Sequence, residues 1–205
     1  MMNTPQKLPA SRDRGRPREF DTDLALDSAM LVFRQKGYHA ASIADLSEAM
    51  GLTAGSIYKA FKDKRTLFQT VFERYIYHRG KDLRGRLDRY TSGREKLAEL
   101  LQFYLDSARE VEGRRGCLVV GSAVGLQVFD DELAGQIRQA VLRNKSFLTS
   151  LIRLGQEDGS IAAEIAAGTA AGLILCMIFG MRVVGKIEDN PDESDTIQMA
   201  LKILN

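Results

Sequence analysis

"SIADLSEAMGLTAGSIYKAF", residues 42–61, carries two short apolar stripes with a glycine between them. Ser42 is placed to cap a helix, its side-chain oxygen free to accept from exposed N–H groups. Asp45 favours the same helix end through the dipole. Ile43, Leu46 and Met50 then share one face, and Gly51 ends the helix. Thr53 caps a second helix that turns Ile57 and Phe61 inward. Helices of about two turns are unstable alone, so a third must lie beneath them. The pattern Leu24, Leu26, Ala29, Met30 and Phe33 predicts that helix over 22–36, capped by Asp21 or Asp23 and stopped by Gly37.

Two short helices joined by a tight glycine turn form a helix-turn-helix. A DNA major groove admits one α-helix while its neighbour braces against the phosphates. The segment 53–61 is the one expected to enter the groove, with Ala54, Gly55, Ser56, Tyr58 and Lys59 facing outward. Small residues at 54–56 let the helix end approach base edges, and Tyr58 and Lys59 carry hydrogen-bond donors. "KDK", 62–64, is the next turn, with Asp63 as cap. Lys62, Lys64 and Arg65 cluster where the next helix begins, an end that attracts anions. That helix, predicted over 64–80, uses Leu67, Phe68, Val71, Phe72, Tyr75 and Ile76. On spacing alone, a mere helical corner in an all-α protein competes with the DNA-binding reading.

The run "AMLVFRQKGYHAASIADLSEAMGLTAGSIYKAFKDKRTLFQTVFERY", 29–75, resembles the DNA-binding domain of the tetracycline-repressor (TetR) family of bacterial transcription regulators. The matching elements are "F..KGY..AS...L..AMGLT.GSIY..F..K..LF". The resemblance implies that 53–61 is the recognition helix. It implies that Ser42, Thr53, Tyr58 and Lys64 lie where phosphates are met, and Gly55, Ser56 and Lys59 where bases are approached. Ala60 departs from the aromatic residue often found there.

Residues 1–20 hold three of the four prolines and little apolar content, as a disordered basic arm would. Arg14, Arg16 and Arg18 flank Gly15 and Pro17, an extended segment suited to a narrow A/T-rich minor groove or, more blandly, to solubility. Charge is divided along the chain. Residues 1–90 hold 17 Lys+Arg against 11 Asp+Glu, net +6, and 91–205 hold 12 against 16, net −4. Only the first part is matched to a polyanion. The domain organisation expected is an arm over 1–20, a DNA-binding unit over 21–66, and a helical ligand-binding and dimerisation unit over 67–205, linked by helix 64–80.

Further helices are predicted at about 93–111, 117–127, 130–157, 162–187 and 192–204, and strands are not expected. The fold class is therefore all-α. The stretch between Glu164 and Arg182 is uncharged but rich in Ala, Gly and Thr, and reads as a buried helix rather than a membrane span. Gly168, Gly172, Cys176 and Gly180 recur every four residues, a stripe that permits close helix approach. Packing within one chain is one use for it. The resemblance implies another, a four-helix bundle with a second subunit. Phe103, Tyr104, Phe129, Phe147, Met177 and Met181 are candidates to line a pocket for a largely apolar or aromatic effector, although such residues also serve as plain core.

No catalysis, metal or cofactor is expected. "SIYK", 56–59, lacks the partner motifs of Ser-x-x-Lys enzymes, "GCLVVGS" lacks the P-loop lysine, and His39 and His78 have no ligand-spaced partner. Cys117 and Cys176 sit in apolar settings and read as small hydrophobes, with a redox pair as the other reading. The polar, basic start lacks the apolar core of a signal peptide, so a cytoplasmic protein is expected. The function these readings imply is a homodimeric, ligand-responsive repressor on double-stranded operator DNA. An activator, an effector-independent regulator, and an all-α adaptor are the alternatives.

Overall fold

A computed structural model describes residues 21–188 and 194–205, and helices account for most of them. In chain order these are α1 (Thr22–Ala40), α2 (Ile43–Met50), α3 (Ala54–Phe61), α4 (Lys64–Leu87), α5 (Gly93–Asp106), α6 (Glu110–Arg115), α7 (Leu118–Val124), α8 (Asp131–Glu157), α9 (Ala167–Val184) and α10 (Ser194–Leu201). Short 3-10 turns follow α7 and α10. No strand occurs among the described residues.

The helix starts follow local chemistry. Asp21 accepts from the amides of Asp23 and Leu24 to open α1. Ser42 and Asp45 form a reciprocal capping box on α2, and Ser92 and Glu95 repeat it on α5. Asp63 caps α4 and Asp130 caps α8. Gly51 closes α2 in the left-handed region at φ 62°, which glycine enters without a Cβ clash.

The structure alters several predicted bounds. Gly37 does interrupt α1, at φ 77°, but one more turn follows to Ala40. Helix α4 continues past Gly80 to Leu87. The predicted 93–111 helix divides into α5 and α6, because Arg109 turns extended and Glu110 adopts φ 49°. The 162–187 helix starts only at Ala167.

Two apolar cores share α4. The first gathers Phe33, Leu46, Ile57, Phe61, Leu67, Phe68 and Phe72 with Leu133 and Ile137 of α8. The second gathers Leu83 and Leu87 with faces of α5, α8 and α9. Where α5 meets α8 the backbones nearly touch: a Cβ on Gly93 would lie 2.1 Å from the Gly155 nitrogen. Gly85, by contrast, faces open space on α4. Gly93→Ala should therefore lower stability by about 1–3 kcal/mol or more through overpacking. Gly85→Ala should instead raise it by about 0.5–1 kcal/mol. Paired thermal melts check both signs.

Candidate nucleic-acid interface and adjoining cavity

Helix α3 keeps only Ile57 and Phe61 buried, at 0 % and 8 % exposure. Thr53, Ala54, Gly55, Tyr58, Lys59 and Ala60 are exposed, and Ser56 is half-buried. The amphipathic split read from the sequence is thus present: an apolar seam anchors the helix and a polar, small-residue face meets solvent. Thr53 accepts from the Ser56 amide at 3.1 Å, and the two hydroxyls lie 2.9 Å apart. Ser42 is exposed at the start of α2, its hydroxyl donating to Asp45 at 2.8 Å. Lys36 donates to the same carboxylate at 2.6 Å, and that bond, with those from Ser42, holds the Asp45 pKa down at about 2.

The far end of α3 is fixed by strain. Lys62 sits at φ 66°, ψ −54°, and the Asp63 amide donates to the Phe61 carbonyl at 2.7 Å. That is a γ-turn of the rarer, strained hand. It turns α3 directly into α4 and leaves the Lys62 side chain exposed.

Lys64, expected at a phosphate, is engaged within the protein. Its ammonium donates to the carbonyls of Tyr38, His39 and Ala41 at 2.9, 3.4 and 3.0 Å, and lies 4.7 Å from the Tyr38 ring centre. It closes the end of α1, whose last carbonyls would otherwise lack partners. Arg65 is likewise engaged, donating to Asp130 at 2.7 Å and to Glu132 at 2.6 Å. Those bonds hold the Asp130 carboxyl well below the usual carboxylate range. Arg14, Arg16 and Arg18 lie outside the described residues.

Behind this face, α4, α7, α8 and α9 enclose a cavity of ≈ 400 Å³. Of the six pocket candidates, Tyr104 and Phe147 line it. The other four lie elsewhere, because packing had already claimed their faces. Phe103 is buried under the guanidinium of Arg79, 4.1 Å away. Phe129 packs with its ring centre 5.0 Å from that of Tyr38 and 5.2 Å from that of Phe68, tilted against both. Met177 packs against the second core, and Met181 is half-buried nearby on α9. The lining also carries charge: Arg79, Arg84, Arg143 and Arg182 all contribute to it.

Sequence reasoning missed Arg34 and Arg182. Arg34, on α1, donates to the Gly116 carbonyl at 2.7 Å and to the Glu112 carboxylate at 2.9 Å. Arg182, on α9 and 2 % exposed, donates to the same Gly116 carbonyl at 3.0 Å. One peptide oxygen therefore joins the DNA-facing unit to the cavity wall. The available signal was a single charge closing a long apolar run, which periodicity alone reads as a helix end.

The small-residue stripe faces outward. Gly168, Cys176 and Gly180 are exposed and Gly172 is half-buried. A Cβ at Gly168 or Gly180 meets nothing within 4 Å, and one at Gly172 meets only the Lys145 side chain at 3.7 Å. Leu173, Val183 and Val184 are exposed on the same helix at 51 %, 45 % and 44 %. By length and composition α9 could cross a bilayer, with mean hydropathy 1.8. The cysteines are not both buried as expected: Cys117 is half-buried, accepting from the Tyr75 hydroxyl at 3.5 Å, and Cys176 is exposed. Among the described residues no cluster of metal-ligating side chains occurs.

Comparison with known proteins agrees with this geometry. The family described as "Bacterial regulatory proteins, tetR family" matches residues 25–71, and "Tetracyclin repressor-like, C-terminal domain" matches 93–201. The chain is 30% identical over 173 residues to the HTH-type transcriptional repressor ComR of Escherichia coli K12, covering 84% of this chain and 82% of ComR. It is 31% identical over 194 residues to the HTH-type regulator YezE of Bacillus subtilis 168, covering 93% and 100%. A cysteine mutant of the TetR family transcriptional regulator CifR, solved with 26bp double-strand operator DNA, superposes with TM-score 0.72 at 33% identity, covering 92% and 98%.

Two lysines separate contact from support. Lys59→Ala should weaken DNA binding without changing Tm, and should flatten the log–log salt slope by about 0.9 if it meets one phosphate. Lys64→Met should instead lower Tm by a few degrees, since each lost bond to these partly exposed carbonyls is worth about 0.5–1.5 kcal/mol. Melting curves with fluorescence anisotropy on a fixed duplex read both effects.

Proposed function

This chain belongs to the tetR family of bacterial regulatory proteins and is a helix-turn-helix DNA-binding transcriptional regulator, and from that premise we propose that it is a homodimeric repressor released from its operator by a small molecule in the α4–α9 cavity. The carrying observation is the exposed face of α3 on a fully anchored helix. Ala54, Gly55, Ser56, Tyr58 and Lys59 then read the groove, with Ser42, Thr53 and the arm residues Arg14, Arg16 and Arg18 as backbone and minor-groove contacts. Lys64 assists from behind by holding the end of α1. We place the protein in the cytoplasm, where its DNA is, and assign it no reaction.

A dimer supplies what one α3 lacks. Two recognition helices about 34 Å apart meet successive major grooves on one DNA face. The outward stripe Gly168, Gly172, Cys176 and Gly180, edged by Leu173, is apolar surface that a second copy would cover. The stripe's glycines at 168 and 180 are not required by contacts within the protomer. Their smallness suits close approach by another helix.

Release follows from geometry. A ligand that prefers a spread arrangement shifts the equilibrium by its differential affinity for the two states. The wall it touches is bonded through Gly116 to α1. Changing the α3 separation by a few ångströms removes both grooves' contacts together.

Two outcomes are expected. The chain should retard the DNA upstream of its own gene in a salt-sensitive, sequence-preferring complex, and indifference to sequence would favour the adaptor reading. Gly180→Leu should leave the helical content and the protomer intact while raising the dimer dissociation constant at least about tenfold, as sedimentation equilibrium would record. A monomeric wild-type chain at micromolar concentration would refute the dimer.

A further inference from the structure

The cavity is one-sided in charge. Four arginines line it and no aspartate or glutamate does. None of the four forms an ion pair among the described residues. Arg84 and Arg143 are exposed, where water compensates them. Arg79 and Arg182 are not so placed. Arg182 is 2 % exposed, and its Nε and Nη1 have no hydrogen-bond partner. Only Nη2 is used, on the Gly116 and Glu112 carbonyls at 3.0 and 3.5 Å. Arg79 rests on the faces of Phe103 and Tyr104, at 4.1 and 5.6 Å, with no carboxylate beside it.

A buried cation without a counter-charge is costly, and the fold supplies none here. Burial pulls the proton affinity of Arg182 down, yet a guanidinium starts far above neutrality and stays charged. Tyr75 and Tyr104 beside it are pushed up by burial and stay neutral. The Glu112 carboxylate is already taken by Arg34 and Arg115. Val119, Val120, Ala140 and Ile178 give the wall an apolar stretch, beside Asn144 and the tyrosines. A volume of ≈ 400 Å³ suits one small ligand.

We propose that the cavity binds an anionic amphiphile, a carboxylate- or phosphate-headed molecule whose head rests on Arg182 and Arg79 and whose apolar body lies along Val119, Val120 and Ile178. This deepens, and rests on, the reading of the cavity as the effector site. A carboxylate or a phosphate accepts strong charge-assisted N–H bonds from a guanidinium, one from each donor it reaches. The free Nε and Nη1 of Arg182 provide donors that the fold has left open. The head would then share Arg182 with the Gly116 carbonyl that Arg34 of α1 also holds. Occupation of the cavity thereby reaches the DNA-binding helices through one residue.

The test is calorimetric titration of the full chain with decanoate, decyl phosphate and uncharged decanol. At least one anion should bind, decanol should bind about tenfold or more weaker, and the tighter anion identifies the head group. Arg182→Met and Arg79→Met should each weaken the anion about tenfold to a hundredfold and leave decanol unchanged. Arg79 makes no hydrogen bond that the fold needs, so its variant remains informative if the Arg182 variant unfolds. Equal affinity for decanol, variants without effect, or no binding of any probe at millimolar concentration would overturn the proposal. Anisotropy of the operator complex is a separate readout. An anion that binds without releasing DNA leaves this site standing and defeats the effector role.

Discussion

Phe68 is the residue around which the two halves of this protein are assembled. It is fully buried on α4, with ring centres of Phe33, Tyr38, Phe129 and Phe72 at 5.1, 5.0, 5.2 and 5.8 Å. Burial of such a ring is worth about 1.5–3 kcal/mol, and each well-placed aromatic pair about 0.5–1.5 kcal/mol more. Phe33 and Tyr38 come from α1, while Phe129 comes from the segment leading into α8. A single side chain thus ties the support of the helix-turn-helix to the C-terminal helical unit. The two short helices α2 and α3 depend on it, since neither has the length to persist alone.

The recognition helix is consequently held rather than tethered. Gly51 sets its approach and the γ-turn at Lys62 sets its departure. Ile57 and Phe61 press its inner face into the first core. Lys64 closes α1 from the α4 side. Rigidity matters because base edges are read by hydrogen bonds that tolerate little misplacement. Backbone strain at Lys62 persists because packing on both sides over-determines it.

The helix-turn-helix is also joined closely to its neighbour. Among the connections between the halves are the Phe129 ring contact, the Arg65 pair with Asp130 and Glu132, and the Gly116 carbonyl shared by Arg34 and Arg182. The first two bear on α8, and the third bears on α9 through the cavity wall. In the proposed release, a displacement of α9 reaches α1 through that shared carbonyl, since close-packed interiors shift between discrete arrangements.

Much was legible in the linear sequence, and for a physical reason. Caps, glycine turns and apolar spacing are local, so Ser42, Gly51, Thr53, Asp63, Ile57 and Phe61 declared the helix-turn-helix and its outward face. Side-chain destinations across the chain were not local. That Lys64 would reach back 26 residues to Tyr38, that Phe129 would pack on Phe68 instead of lining the cavity, and that Arg182 would turn inward with unspent donors all followed from how the helices meet. Amino-acid order set the kinds of helix and the face each had to bury. Tertiary packing alone decided which charges were neutralised within the protein and which were left facing the cavity, because a charge's partner is a matter of distance in space and not of position along the chain.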